Sequence, residues 1–502
     1  MLLKIISMKK FTLFLAVIFI FLFHSYSQTI NGKLLDENNN PIAYASIQIK
    51  NTGVLSNEEG DFSVNIDKFN DDDIVNISFL GFEKLEIPLK DFSSKNYTLN
   101  EEINELSQVT VSTKKLSVNE IITKVVERID SNYVNQPTEQ QIFIRTSDYN
   151  KYKNFEFEFL KATLLSRKAL KEVNKSLDNL IHNNLNKASK SHSEKIIKVL
   201  SFDDETKLEV LKSTILVNKK KDKSSEKFQS QLLEVIANHL EKDATYKVKS
   251  GILPVMDSLK IEENLANQLY KKEKKVSSLK TNITSKLQKF DIHNDKKYGF
   301  LHKQKKYNYK LKGIAKLDGE KIYIIGFSPR KSSALYQGIL YINAYDFALV
   351  KTVFDFAPGK NFSKNLKFLL GVKFAISQNK FEIIFKKNND DQYFLKFAKQ
   401  ETSQYMFLNR SLKFTKNRAD RSENKKMIKM EFLMEADTKT TTELLILNQN
   451  ELSKANFKKF KEKEKYKLEY ISRYTPDTWK GYNVLAPIQE IKDYDTGEVN
   501  PK

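Results

Sequence analysis

The six histidines are the side chains from which a metal site or a catalytic base would first be sought in this sequence. A catalytic zinc site takes three protein ligands and keeps one position open, and a His-x-x-Glu or His-Glu-x-x-His motif supplies two of them. Neither motif occurs. His192 and His239 each precede a glutamate by two residues, and residues at that spacing point to different faces of a helix. We therefore predict no metal site at the histidines, which are His24, His182, His192, His239, His293 and His302.

Other catalytic motifs are also missing from the sequence. It contains no Gly-x-Ser-x-Gly nucleophile elbow and no phosphate-binding P-loop. Asp71, Asp72 and Asp73 could offer oxygen ligands to calcium, but the triplet lacks the spaced ligands and the central glycine of a calcium loop. It is more typical of a solvated turn. The sequence predicts a protein that is not an enzyme and that carries no cofactor and no metal.

The N-terminus has the three parts of a secretory signal peptide. Three lysines in the first ten residues precede a run over residues 11–23 that is apolar except for Thr12. This run is shorter than the stretch of about 20 residues that a membrane-spanning helix needs. Ser25 and Ser27 are the small residues that a cleavage site requires. We expect a signal peptide over residues 1–27 and cleavage after Ser27.

The sequence contains no cysteine. This excludes disulfides, thiolate metal sites and the lipidated cysteine of a bacterial lipoprotein. We therefore expect an exported protein of a Gram-negative cell envelope, in the periplasm or associated with the outer membrane, without a lipid anchor.

The charge is distributed unevenly along the chain. The formal net charge is +21, yet residues 28–115 hold 8 Lys against 15 Asp and Glu. The positive charge therefore belongs to the rest of the chain, where it would suit an anionic envelope component or an acidic envelope protein. Export argues against nucleic acid as a partner. A solvated basic surface without any ligand is an equally open interpretation.

Residues 29–99 alternate between apolar and polar positions with a period of two, and turn residues interrupt the alternation. This pattern is typical of the short antiparallel strands of a β-sandwich. Gly60 would permit a left-handed turn before a strand. Gly81 would let the backbone pass close to Phe79 and Phe82.

Four motifs in this segment resemble the carboxypeptidase regulatory-like domain. They start at Gly32, Pro41, Ser56 and Ile77 and follow one another at the spacing of that family. The resemblance implies a transthyretin-like β-sandwich over residues 28–100, a spacer or docking unit without an active site, as found ahead of TonB-dependent receptors. The positions that carry the resemblance are Gly32, Asp36, Pro41, Ala45, Gly60, Phe62, Gly81 and Phe82.

Residues 101–137 are predicted to link this sandwich to the rest of the chain through a short strand and a helix. Residues 106–111 resemble the strand that leads such a module into a receptor plug, but no plug sequence follows. Ser117 precedes apolar residues at helical spacing up to Ile129, and Glu120 completes a capping box.

Residues 138–490 are predicted to form a β-rich domain around a large curved antiparallel sheet with packing helices. Alternating apolar positions follow residue 307, with hairpin turns at Asp318-Gly319 and at residues 388–391. The strand pattern is loosely similar to the half-barrel of periplasmic lipoprotein carriers. Residues from about 168 to 294 are rich in Lys and Asn and predict a partly helical insertion. Residues 491–502 would form a tail.

Aromatic residues at alternate positions give one face of this sheet a large apolar area. Burying one such side chain is worth roughly 1.5–3 kcal/mol, so something must cover the face. We expect helices over residues 117–129 and 228–240 to do so, and a bound lipid or acyl chain is the alternative. The aromatic residues of this face are Tyr307, Tyr309, Phe381, Phe385, Tyr393 and Phe397.

Trp479 and Tyr482 are expected to anchor the end of the larger domain in its core. The function predicted from these features is that of a non-catalytic envelope binding or scaffolding protein whose β-sandwich is a docking module. The alternative is a periplasmic carrier that holds a lipid or acyl chain in the groove of the half-barrel.

Overall fold

The computed structural model describes most of the chain outside its two termini. The described residues are 29–102, 116–163, 165–185, 188–216, 231–232, 234–235, 241, 244–251, 253–260, 273–366, 370–417 and 426–494. The predicted signal peptide over residues 1–27 and the predicted strand over residues 106–111 lie outside this part. No helix within it is long and apolar enough to cross a membrane.

The chain divides into two compact units. Unit 1 consists of the segments up to residue 77, 84–99 and 476–486. Unit 2 consists of residues 78–83, 100–475 and the segment from 487 onwards. The sequence pattern places residues 476–486 with the large sheet, whereas the structure places them in unit 1.

Unit 1 is a β-sandwich of two small sheets, as predicted. One sheet has the strand order β4-β1-β7, and the other has the order β3-β2-β5-β6. Apolar side chains from both sheets, including Leu34, Ile47, Phe62 and Val75, are buried between them. The strands are β1 (Thr29–Leu35), β2 (Ser46–Ile49), β3 (Thr52–Leu55), β4 (Asp61–Asn65), β5 (Ile74–Ser78), β6 (Leu85–Pro88) and β7 (Asn96–Thr98), and a 3-10 helix spans Leu89–Asp91.

Two glycines of the family motif adopt backbone conformations that other residues rarely adopt. Gly60 has a φ of +79°, and a Cβ there would lie 2.5 Å from the carbonyl oxygen of Leu34. Gly81 has a φ of +84°, but no atom lies within 4 Å of the position that a Cβ would occupy. The left-handed backbone conformation alone accounts for a glycine at this position.

Other motif residues hold the turns and the core of unit 1. Asp36 accepts hydrogen bonds from the backbone of Asn38 and Asn40 and from the Asn40 side chain, and the Asn40 side chain lowers the pKa of this exposed carboxyl. Pro41 forms an isolated bridge with Leu35.

The tightest packing in unit 1 is around the ring of Phe62. A Cβ at Gly32 would lie 2.5 Å from that ring. The ring stacks on Phe92 with centroids 5.8 Å apart. Ala45 is fully buried and its N–H donates to the Ser56 hydroxyl.

The C-terminal segment of unit 1 is anchored by Trp479, which is buried in a 3-10 helix over Pro476–Trp479. The N–H of Tyr482 donates to the Trp479 carbonyl, and Asn483 accepts a hydrogen bond from the backbone of Asn65. Trp479 and Tyr482 therefore lie in unit 1 and not in the larger domain, to which the sequence pattern assigned them.

Unit 2 is built on a large, mainly antiparallel sheet that is not closed. The main strand order is β14-β15-β16-β17-β19-β20-β21-β8-β9-β10-β23, with β11 paired to β20 and β18 paired to β19. The strands are β8 (Thr138–Ala162), β9 (Ala188–Phe202), β10 (Glu205–Leu216), β11 (Thr245–Ser250), β12 (Leu253–Lys260), β13 (Glu273–Lys275), β14 (Tyr307–Leu317), β15 (Glu320–Pro329), β16 (Tyr336–Asn343), β17 (Leu349–Phe356), β18 (Phe362–Leu366), β19 (Val372–Lys387), β20 (Tyr393–Lys416), β21 (Met427–Glu451), β22 (Lys465–Lys467) and β23 (Glu469–Ile471).

Two of the helices of unit 2 matter for the site described below. The Ser117 side chain accepts from the Glu120 N–H, and the Glu120 side chain accepts from the Ser117 N–H, so the predicted capping box is present. The helices are α1 (Val118–Glu127), α2 (Ile129–Asn132), α3 (Arg167–Asn184), α4 (Val276–Phe290), α5 (Gly299–His302), α6 (Lys454–Lys459) and α7 (Gln489–Lys492), and a 3-10 helix spans Gln304–Lys306.

The hairpins predicted after residue 307 are present. Asp318 and Gly319 both have positive φ between β14 and β15, as a tight two-residue hairpin turn requires. The insertion expected from about 168 to 294 differs from the prediction, because β9 and β10 within it are strands of the main sheet. Period-two apolar alternation does not reveal β9, since His192 and Glu194 occupy buried positions along it.

Candidate functional site

The predicted apolar face of the large sheet exists and is buried. Tyr307, Phe381, Phe385 and Tyr393 belong to one hydrophobic cluster, and Tyr309 packs against it. The ring of Phe381 stacks on that of Phe354 with centroids 4.8 Å apart. Five of the six predicted aromatic residues therefore share this face.

Phe397 is the exception. It is buried, but it does not belong to the cluster, whereas its neighbour Ala398 does. The register of β19 and β20 shifts between the pairs Ile384–Phe397 and Phe385–Leu395, so Lys396 is an extra residue. Such a bulge moves the following side chains to the other face, which sequence alternation alone could not show.

The protein's own helices cover this face. Ile121, Ile122 and Val125 of α1 and Ile283 and Phe290 of α4 are all buried in the same cluster. We call the side of the sheet under α1 and α4 the helix-covered face. The helix expected over residues 228–240 lies largely outside the described residues, and Leu232 packs into a second cluster instead. The covering helix α4 was not predicted from the sequence pattern.

A belt of polar side chains crosses the helix-covered face between the two apolar clusters. Along β21, Leu444 belongs to the first cluster and Ala436 to the second. Between them, Thr438, Thr440 and Thr442 lie opposite residues of β20. We call the following residues the polar belt: Asn379, Gln400, Thr402, Gln404, Thr438, Thr440 and Thr442.

Four lysines face the polar belt across an open cavity of about 530 Å³. Lys286 and Lys289 come from the last turns of α4, and Lys296 and Lys297 come from the loop that follows it. Among the described residues that line it, none is a carboxylate and one, Ile376, is apolar. We call this space the lysine cavity, and its lining is Lys286, Lys289, Asn294, Lys296, Lys297, Ile376, Asn379, Gln400, Thr402, Gln404, Thr440 and Thr442.

The lysine cavity is rich in positive charge, and the acidic group whose charge acts on it, Asp148, forms no direct ion pair with its lysines. Within the described part of the chain, no carboxylate forms an ion pair with any of the four. Lys286 donates instead to the Thr442 hydroxyl at 3.2 Å, and Lys297 donates to the Tyr336 hydroxyl at 3.3 Å. The Lys297 ammonium also lies 3.4 Å from the centre of the Phe381 ring.

Burial and mutual repulsion change the protonation of these lysines. Burial, followed by the charge of Lys289, lowers the pKa of Lys297 to about 7. The same two causes lower the pKa of Lys286, against which Asp148 acts in the opposite direction. An anion in the cavity would relieve this repulsion and favour the charged form of both lysines.

The polar belt is partly saturated by its own hydrogen bonds. The Gln400 amide donates to Asn379 at 2.8 Å, and the Thr440 hydroxyl donates to Asp148 at 2.7 Å. The Thr438 hydroxyl is buried and has no hydrogen-bond partner among the described residues. Thr438 is not among the residues that line the lysine cavity, so the belt meets the cavity mainly through groups that already form hydrogen bonds with protein partners.

The opposite face of the same strands carries a row of buried charges. Lys399, Glu443, Arg145 and Glu194 lie directly opposite one another on β20, β21, β8 and β9, and all four are buried. The Arg145 side chain lies 2.6 Å from a Glu194 oxygen and 3.6 Å from a Glu443 oxygen. Opposite charges on adjacent strands satisfy one another here, so this row has a structural role.

The described part of the chain contains no group of three or more histidine, aspartate or glutamate side chains that could hold a metal ion. In the acidic triplet, Asp73 accepts from the backbone of Asn70 and lies 2.8 Å from the Lys50 ammonium. These protein partners occupy the carboxylate that a cation would need.

The sequence predicts the basic charge but not the lysine cavity. Lys296 and Lys297 lie among many lysines of a polar segment. Their relevance depends on the position of α4 over strands that are distant in the sequence. A polar interruption in the middle of long strands is the signal that could have located the belt.

Comparison with known families supports the assignment of the first module. Residues 30–111 match the family model of the CarboxypepD_reg-like domain. Domains of this family are regulatory, non-catalytic modules. The match covers unit 1 strands and ends within residues that the structure does not describe.

Comparison with whole proteins adds little. No curated protein matches the sequence. A crystal structure of an uncharacterised membrane-associated protein from Bacteroides fragilis NCTC 9343 is 8% identical, with 84% of this chain and 97% of that chain covered and a TM-score of 0.12. A TM-score this low carries no argument about the fold or the function.

Proposed function

We propose that this chain is an exported, non-catalytic binding protein of the cell envelope that holds an anionic envelope component in the lysine cavity. One observation carries the proposal: four lysines converge on a cavity whose described lining has no carboxylate. Such a cluster concentrates positive potential, because field lines are focused where low-dielectric walls surround like charges. An anionic ligand is the natural complement.

Unit 1 is proposed to dock the protein to an envelope partner. The CarboxypepD_reg-like match supports a role that needs no active site, and the excess of acidic residues over residues 28–115 gives unit 1 a charge opposite to that of the cavity. The N-terminal sequence supports export to the periplasm or the outer membrane.

The carrier function has less support than the binding function. A lipid or acyl chain needs a continuous apolar groove. On the helix-covered face, side chains from α1 and α4 occupy the space above the aromatic residues. The lysine cavity, in contrast, is lined mainly by polar and cationic groups, which suit a charged headgroup better than a hydrocarbon chain.

Isothermal titration of the full chain with a panel of small anions tests the proposed binding function. The panel is phosphate, sulfate, citrate and glucuronate, and the variant is Lys286→Gln/Lys289→Gln. The matched control is Lys458→Gln/Lys459→Gln on exposed positions of α6, which removes the same charge elsewhere. Saturable binding by wild type and control, weakened at least tenfold in the variant, is expected. If no anion binds, or if both double variants behave alike, the proposal fails.

The docking function is tested separately by photo-crosslinking in the intact envelope. A crosslinker at exposed Glu37 of unit 1 is expected to capture one defined partner, and a crosslinker at Lys458 of unit 2 should not. Equal capture from both positions would contradict docking through unit 1.

A further inference from the structure

We propose that the ligand of the lysine cavity is a phosphorylated sugar, with its phosphate among the lysines and its hydroxyl groups on the polar belt. This inference rests on the proposed function and specifies the ligand class of the same site. The observation behind it is the juxtaposition of two different sets of groups across one cavity, four ammonium groups on one side and amide and hydroxyl side chains on the other.

The cationic side of the cavity suits a phosphate better than a carboxylate. A carboxylate carries one negative charge and two acceptor oxygens, and lysine binds either kind of anion as a point charge. The described lining of the cavity contains four lysines and no arginine. A phosphomonoester carries up to two negative charges and three acceptor oxygens at neutral pH, so it can engage several lysines together.

The opposite side of the cavity suits hydroxyl groups. Small-molecule pockets are usually lined mainly by apolar side chains, but only Ile376 is apolar among the described residues here. Gln400, Thr402 and Gln404 lie at alternate positions on β20 and offer both donors and acceptors in one row. Gln400 and Thr402 already bond to each other and to Asn379, and a polyhydroxylated ring or chain presents hydroxyl groups that can extend this hydrogen-bonded row.

The size of the cavity fits one or two sugar rings. Its volume of about 530 Å³ lies within the range of roughly 300–1,000 Å³ that is usual for small-molecule sites. The lowered pKa of Lys297 fits the same picture, because a phosphate would favour its protonated form. The other charged groups that line the cavity with Lys297 are Lys286, Lys289 and Lys296. Asp148 lies on strand β8, and Asp291 directly follows the last residue of α4.

Titration calorimetry of the full chain with glucose 6-phosphate, glucose 1-phosphate, inorganic phosphate, glucose and glucuronate tests the inference. At least one sugar phosphate is expected to bind tenfold or more tightly than inorganic phosphate, glucose or glucuronate. The variant Thr402→Val/Gln404→Met should lose at least fivefold in affinity for the sugar phosphate while its affinity for inorganic phosphate stays within twofold. Thr441→Val, on the opposite face of β21, is the matched control and should bind as wild type does.

Two results would overturn the ligand assignment and leave the proposed function in place. These are equal affinity for inorganic phosphate and sugar phosphate, and tighter binding of glucuronate than of either sugar phosphate. Absence of binding by every anion would overturn the proposed function as well. Circular dichroism of each variant ensures that a loss of affinity is not a loss of fold.

The phosphorylated sugar could be a free metabolite or the headgroup of a glycolipid. Vesicles that contain lipid A, a phosphorylated glucosamine disaccharide, are compared with vesicles of phosphatidylglycerol at equal charge. A preference for lipid A vesicles assigns a membrane source, and binding of soluble sugar phosphates without binding to either kind of vesicle assigns a free one. Equal binding to both kinds of vesicle, abolished by salt, would contradict recognition of the sugar.

Discussion

Truncation of Phe290 tests whether α4 seals the helix-covered face. Phe290 is fully buried at the end of α4, its ring meets that of Phe381 edge-on with centroids 6.4 Å apart, and its carbonyl accepts from the Tyr298 hydroxyl. Phe290→Ala removes the ring but leaves this backbone acceptor in place. A buried phenylalanine truncated to alanine costs about 3–5 kcal/mol. At roughly 2 °C per kcal/mol, the melting temperature of unit 2 should fall by roughly 6–10 °C.

The assay separates the two units by their reporters. The only tryptophan, Trp479, lies in unit 1, so its fluorescence follows unit 1, whereas far-UV circular dichroism is dominated by the larger sheet of unit 2. Phe290→Ala should shift the dichroism transition only. The matched control is Phe457→Ala, which truncates a buried ring in a separate cluster with Leu200 and Leu452.

Ligand binding distinguishes an opened cover from simple loss of stability. A cavity left by an aromatic ring stays dry and binds benzene-sized molecules, so benzene should raise the melting temperature of Phe290→Ala and leave that of wild type unchanged. Wild type should not bind a fluorescent fatty acid saturably. Two results would refute the interpretation that the protein's own helices fill this face. One is a loss of stability below about 1 kcal/mol in Phe290→Ala, which is well under the usual cost of such a truncation. The other is saturable binding of the fatty acid by wild type.

Three further predictions concern stability. Gly60→Val should destabilise unit 1 by about 1–3 kcal/mol, because Gly60 has a positive φ. Trp479 fluorescence measures this change. An unchanged unfolding transition would contradict the strained turn. Arg145→Met should lower the free energy of unfolding of unit 2, measured by dichroism, by about 3–5 kcal/mol, because it leaves two carboxylates buried without their partner. Adding Glu194→Gln should recover part of this loss. No recovery would contradict the ion pair. The stability of unit 2 should rise from pH 7 to pH 9. Burial lowers the folded-state pKa of Lys297 and of Lys396 to about 7, so the folded protein loses these two protons in this window. The unfolded chain still binds them, which favours the folded state as the pH rises. Each lysine contributes at most about 1.4 kcal/mol per pH unit, and Lys297→Met/Lys396→Met should flatten the rise.

The sandwich and the hairpins could be predicted from the sequence because their signals are local. Turn residues such as Asp318 and Gly319 fix hairpins whose partners are adjacent in the sequence. The capping box at Ser117 is likewise contained within four residues. Such features require no knowledge of distant contacts.

The rest could not be predicted because it depends on pairings between distant segments. In the sequence, Arg145 resembles a surface residue, and only the pairing of β8 with β9 and β21 brings Glu194 and Glu443 beside it. The bulge at Lys396 is visible only from the register of two strands. The assignment of residues 476–486 to unit 1 depends on contacts with segments near the other end of the chain.

A crystal structure of the full chain grown with glucose 6-phosphate tests the central claim most directly. The account predicts phosphate density within hydrogen-bonding distance of at least two of Lys286, Lys289, Lys296 and Lys297, with the sugar ring against Thr402 and Gln404. It also predicts that the Lys286→Gln/Lys289→Gln variant shows no such density under the same conditions. An empty lysine cavity in wild-type crystals at saturating ligand, or the sugar phosphate bound at another surface, would contradict it.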